Sequence, residues 1–225
     1  MSMSKKLNLH ELLNFFDCKV SNSIGHASAI NGVIGEDLGV ALLHKYFSDQ
    51  KLNPIVLDEP CTQKTQKGKR LDKWIVVTES DSKIIYQVEI KNWNAHSLNS
   101  ETVVDHADEQ YMRDFRLRRW KKRFDSDRRK PRQTECQKVL LPMKVPTTYR
   151  DYEHRTLLCF WEALHHEGKS DAIFEVSVNS DHFENKMTVF SMSNYVSELL
   201  KQSDVLEVEL ADAEARINWL NRLYS

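Results

Sequence analysis

Nothing in this sequence approaches the run of about 20 apolar residues that a membrane-spanning helix needs. Residues 1–6 also lack the apolar stretch of a signal peptide. The expectation is a cytoplasmic protein with no membrane contact. The four cysteines, Cys18, Cys61, Cys136 and Cys159, include no Cys-x-x-Cys pair, so neither a structural zinc site nor a disulfide framework is indicated. A His-Glu-x-x-His zinc motif is absent, as is a phosphate-cradling Gly-rich loop of the P-loop kind. Zinc-peptidase chemistry of that type and built-in ATP hydrolysis are therefore not expected. There is no internal repeat and no low-complexity tract. A dominant charge is missing too, since the net charge is −1.

What is present is an ordinary globular composition: 225 residues, 40% hydrophobic and 29% charged, enough for one sizeable domain. The near-zero net charge hides an asymmetry. Residues 113–132 hold eleven Lys or Arg against three Asp, an excess of eight positive charges, so the remainder carries nine negative ones. A concentrated basic segment in an otherwise acidic chain points to a polyanionic partner.

Periodicity divides the chain into elements. Apolar positions at 9, 12, 13 and 16 make a short helical stripe. Residues 32–47 carry apolar positions at helical spacing; Gly35 and Gly39 weaken this helix but permit close approach of a neighbour. Residues 54–57, 71–78 and 84–91 read as three strands, with a loop at 60–69 and a tight turn at 80–82. Short connections favour antiparallel pairing. Helical spacing returns over 100–124, followed by a basic loop at 125–137 and an irregular stretch at 140–148. Residues 156–161 read as a buried strand, 172–178 and 187–190 as a hairpin, and 194–201 as a short helix. An edge strand at 205–210 and an amphipathic helix at 211–224 capped by Asp212 close the chain.

The chemistry sits in the strands. Glu89 and Lys91 lie two apart at the end of the run from Ile84, so they share one strand face with α-carbons about 6.5–7 Å apart. Asp72 precedes Glu89 by seventeen positions. A hairpin turning at 80–82 sets the two acids roughly opposite one another. Two carboxylates on adjacent strands suit a hard cation such as Mg2+, which takes oxygen ligands and keeps several waters. The Ile90 carbonyl offers a further oxygen. Lys91 would orient or deprotonate an attacking water or neutralise a phosphate, and Glu36, early in the preceding helix, would serve a second ion. Taken alone, a Glu-x-Lys triplet is most often a solvated ion pair, and Glu36 an exposed helical acid.

This order of helix, three strands, helix and strand, with Asp72 ahead of Glu89-Ile90-Lys91, resembles the PD-(D/E)xK nuclease superfamily over about residues 30–162. Leu71 replaces the Pro that gives the motif its name. The resemblance implies an α/β fold with a central mixed β-sheet flanked by helices, the restriction-endonuclease-like αβββαβ core. It implies Asp72, Glu89, Lys91 and Glu36 as catalytic residues, with Asp72, Glu89, Glu36 and the Ile90 carbonyl around Mg2+, or Mn2+ in its place. Residues 1–29 form an N-terminal helical extension, and 163–225 complete the same domain with a hairpin and helices. The expected activity is hydrolysis of phosphodiester bonds by a DNA endonuclease of restriction or repair type. Cutting both strands of a duplex would call for two sites, hence a homodimer.

The basic segment then reads as a phosphate-backbone surface, which gives affinity without sequence information. Its candidates are Arg113, Arg116, Arg119, Trp120 and Arg123 on the helix, Arg128, Arg129 and Lys130 in the loop, and Lys69 and Arg70 ahead of Asp72. Trp120 would stack on a base or cover the core edge, and the plain alternative for the whole segment is a solvated helix end. Two rival readings stand beside the nuclease: a non-catalytic nucleic-acid binder on the same fold, and a protein-interaction subunit using the helix at 211–224.

Overall fold

The computed structural model describes residues 5–16, 34–62, 70–79, 82–91, 139–161, 163–166, 169–177 and 182–223. Its elements are β1 (Lys5–Asn8), α1 (Leu9–Phe16), α2 (Glu36–Asp49), β2 (Asn53–Leu57), β3 (Lys73–Glu79), β4 (Ser82–Lys91), β5 (Glu153–Phe160), β6 (Ile173–Ser177), β7 (Lys186–Ser191), α3 (Met192–Leu199), β8 (Val205–Val208) and α4 (Ala211–Leu223). This is an α/β protein with a six-stranded mixed sheet flanked by helices, in the order β2-β3-β4-β5-β7-β6. β2, β3 and β4 form the expected antiparallel meander, β5 and β7 add in parallel, and β6 returns antiparallel along β7. The helix expected between β4 and β5 lies outside the described residues. No helix among them is long and apolar enough to cross a membrane.

Side-chain alternation gives the sheet two cores. Ile75, Val77, Tyr86, Val88, Ile90 and Cys159 share one face with Leu38, Leu42 and Leu43 of α2. Trp74, Val76, Ile85, Leu158, Phe160 and Val189 line the other face, closed by Val139, Leu140 and Met143 of an irregular segment. With both faces covered, β4 needs apolar residues in nearly every position, and its run from Ile84 to Ile90 shows them. Pro54 lacks an N–H to give a ladder, and it sits in the edge strand β2, where that loss is tolerated and blunts pairing with further strands.

Gly39 explains the glycine in mid-helix. A Cβ built there would come within 3.0 Å of both Cδ1 and Cγ2 of Ile90, so its absence lets α2 settle onto the end of β4.

The two chain ends differ from expectation. Residues 5–8 are a strand rather than part of a helical extension, and they pair antiparallel with β8 in a separate two-stranded sheet. β8 is thus no edge of the main sheet. The N-terminus of α4 is served from outside: Ala213 N–H donates to Asp37 Oδ2. The helix already includes Ala211 and Asp212, so Asp212 lies within the first turn rather than ahead of it, and a distant acid in α2 takes the capping role.

Candidate metal and phosphodiester site

Asp72 lies one residue before β3. The register pairs Lys73 with Val88, and one further step sets Asp72 against Glu89. Two bonds tie that end of the hairpin together. Asp72 N–H donates to the Val88 carbonyl at 3.0 Å, and Ile90 N–H donates to Asp72 Oδ2 at 2.6 Å. The N–H and C=O of one strand residue point to the same side, so the Ile90 carbonyl also faces the Asp72 side of β4. Glu89 is 2% exposed and alternates onto the face of Ile85 and Gln87. Lys91 closes β4 opposite Phe160 and is described by its backbone.

Two thiols report how the negative charge is placed. Burial pushes the Cys61 thiol well above its ordinary range, and the charges of Glu89 and Asp72 push it further, while the Leu71 N–H and Arg70 pull the other way. Cys159, in the core beneath α2, is likewise raised by burial and then by Asp72. Asp72 is therefore felt on both sides of the sheet. The oxygens of Asp72, Glu89 and the Ile90 carbonyl are the candidate donors at this end of the hairpin. That set fits Mg2+ or Mn2+. Among the described residues, no three His, Cys, Asp or Glu side chains gather into a metal-binding group.

Glu36 opens α2 and is exposed. Its helix packs on the face opposite that of Glu89. Its first turn nevertheless lies at the Asp72 end of the sheet, because Asp37 and Lys73 line one cavity of about 560 Å3 with Val40, His44, Val56 and Asp58. Asp58, one residue past β2, also lines that cavity, and the acid Glu79 lies at the far end of the hairpin opposite Ser82. Of the cationic candidates, Arg70 is exposed and forms an isolated antiparallel bridge with Thr62. Lys69, Arg113, Arg116, Arg119, Trp120, Arg123, Arg128, Arg129 and Lys130 lie outside the described residues.

Sequence reasoning missed Gln87. It is wholly buried and holds the segment that covers its face of the sheet. Its Nε2 donates to the carbonyls of Val139 (2.5 Å) and Leu141 (2.8 Å). Its Oε1 accepts from Met143 N–H at 3.1 Å and meets His154 Nε2 at 2.8 Å. An amide oxygen only accepts, so His154 is held as the Nε2–H tautomer. Burial lowers its pKa to about 4. The available signal was a lone amide among apolar strand residues on the face of Glu89; its partners, more than 50 residues away, were not visible.

No family model, curated protein or solved structure matches the chain.

Proposed function

We propose that Asp72, Glu89 and Lys91 form the centre of a magnesium-dependent phosphodiester hydrolase acting on DNA as an endonuclease. The observation that supports this reading is the register of β3 and β4, which ends with Lys73 against Val88 and so continues to Asp72 beside Glu89, with Lys91 two residues further along β4. Asp72, Glu89 and the Ile90 carbonyl would hold Mg2+ or Mn2+. When bound, the ion supplies Lewis-acid stabilisation of the charge that builds on the phosphate. Lys91 orients the attacking water or takes its proton. Asp72 carries a second duty, because its Oδ2 fixes the Ile90 backbone; a carboxylate has several acceptor positions, so the two duties are compatible. Glu36 is the candidate for a second ion. The basic segment from Arg113 to Arg132 supplies phosphate contacts, and a homodimer would bring a second site to a duplex.

The same Asp72–Ile90 bond also favours a second reading, a binder in which Asp72 is purely structural. Incubating the protein with plasmid DNA, single-stranded DNA and RNA, with Mg2+, Mn2+ or chelator, separates the two. The expected result is metal-dependent cleavage of DNA, reduced about 10²–10⁴-fold in Lys91→Ala and lost in Asp72→Ala. Cleavage unchanged in either variant would sink the site; tight binding without cleavage of any substrate would favour the binder.

A further inference from the structure

We infer that Gln87 is a positioning residue for the Asp72–Glu89 pair, setting the enclosure in which the two carboxylates take up a cation. This rests on the reading of that pair as a metal site. Gln87 and Glu89 are neighbours on one face of β4. Four polar groups converge on the Gln87 amide, three of them backbone groups of Val139, Leu141 and Met143. The segment so held brings Val139, Leu140 and Met143 into the same core as Cys61, Leu71, Leu158 and Phe160. Three of them neighbour the site residues along the chain or across the sheet. Leu71 adjoins Asp72, Leu158 is paired with Glu89, and Phe160 with Lys91. The segment is pinned again at Lys144, whose N–H donates to the Thr62 carbonyl at 3.0 Å, and Leu71 N–H donates to the Cys61 carbonyl at 2.9 Å. A closed circuit therefore runs from Gln87 through residues 139–144 to Thr62, Cys61 and Leu71, and back to Asp72. Glu89, on the same face as Gln87, is 2% exposed.

A carboxylate held out of water has more to gain from a cation than a solvated one. Groups beyond the ligands that fix a metal site in this way typically change metal affinity 10–100-fold when removed. Without the amide, residues 139–143 lose their tie to β4, water reaches Glu89, and the carboxylates lose their fixed spacing.

The control lies elsewhere in the fold. Asn194 is a buried amide of the same type. It donates to the carbonyls of Leu164 (2.6 Å) and Asp171 (3.1 Å) and accepts from Leu164 N–H (3.2 Å). Its hydrogen-bond partners are Leu164, Asp171 and Ser191 rather than residues 139–144, and Leu164 shares the core of Leu71 and Leu158, so a general loosening of that core would register in this variant too. The test measures Mn2+ binding to the full chain by electron paramagnetic resonance titration, with urea melts alongside, for wild type, Gln87→Met, Asn194→Leu and Asp72→Asn. Gln87→Met is expected to weaken Mn2+ binding at least tenfold. Asn194→Leu should lose comparable stability with Mn2+ binding within twofold of wild type. Equal Mn2+ affinity in Gln87→Met and wild type would overturn the inference while leaving the metal site standing. Equal losses in Gln87→Met and Asn194→Leu would overturn it as a general effect of destabilisation. Wild-type binding that Asp72→Asn does not reduce would overturn the site itself, and the inference with it.

Discussion

Stability should fall steeply through mildly acid pH because of one residue, His154. Its Nε2–H is committed to Gln87 Oε1 at 2.8 Å. Its ring lies between Trp74 and Phe183, with centroids 5.5 and 5.2 Å away. A second proton would put a charge among these rings, and burial accordingly lowers the pKa from 6.5 to about 4. The native state thus holds the neutral form over a range in which the unfolded chain protonates. Above pH 6.5 neither state is protonated, and the group adds no pH dependence. Between 6.5 and 4 the unfolded chain takes up a proton that the native state refuses, so stability drops as pH falls. Below 4 both are protonated, and the loss is complete.

At about 1.4 kcal/mol per pH unit, the gap amounts to about 3 kcal/mol. This is an upper figure, because a cavity of about 230 Å3 borders His154, Thr156 and Phe183 and lets water soften the penalty. His154→Phe keeps the ring packing and removes the titration. At pH 7.5 it should cost about 1 kcal/mol for the lost hydrogen bond, with Met143 N–H still serving Gln87. By pH 4.5 wild type should have lost about 2.5 kcal/mol more than the variant, so the two stability curves cross between about pH 5 and 6. Urea denaturation followed by tryptophan fluorescence at pH 7.5, 6.5, 5.5 and 4.5 measures the difference. Carboxylates that titrate in the same range subtract out between the two proteins. A difference constant to within about 0.5 kcal/mol across the series would refute the reasoning.

Gly39→Ala should lose about 1 kcal/mol, since overpacking against Ile90 outweighs the gain in helix propensity. In an Ile90→Ala background, which removes the carbons a Cβ would meet, the same change should become stabilising by about 1 kcal/mol; thermal melts of the four proteins check the reversal of sign. Asp37→Ala should cost about 1 kcal/mol by uncapping α4 and speed amide exchange at Ala213 more than at residues in β4, whereas Asp37→Asn keeps an oxygen for that N–H and should be milder. Asp72→Ala should lose about 1–2 kcal/mol through the unpaired Ile90 N–H, while Asp72→Asn retains an acceptor and stays near wild type. Both should abolish Mn2+ binding, and Mn2+ titration beside urea melts separates the structural duty from the metal duty.

What could be read from the chain was what local rules decide. The turn near 80–82 fixes the pairing of β3 with β4, so Asp72 falls against Glu89 without knowledge of any other contact. The apolar spacing of α2 and the hairpin of β6 with β7 follow from equally short-range patterns. Distant partners decide the rest. β1 meets β8 across some 200 residues, and α4 is capped by an acid 176 positions earlier. Gln87 was legible as a misfit in an apolar strand, but a misfit becomes a clamp only once Val139, Leu141, Met143 and His154 are brought to it. The same distinction bears on Asp72. Its bond to Ile90 N–H spans 18 residues and lies within the hairpin, so the strands alone preorganise one carboxylate. The face of the sheet that carries Glu89 is covered by distant residues, Val139, Leu140 and Met143 with Cys61 and Leu71. The register of the hairpin thus accounts for Asp72 beside Glu89, and the cover over the face of Glu89 comes from segments far along the chain; on the proposed reading, that enclosure is what would separate a cation site from a surface pair of carboxylates.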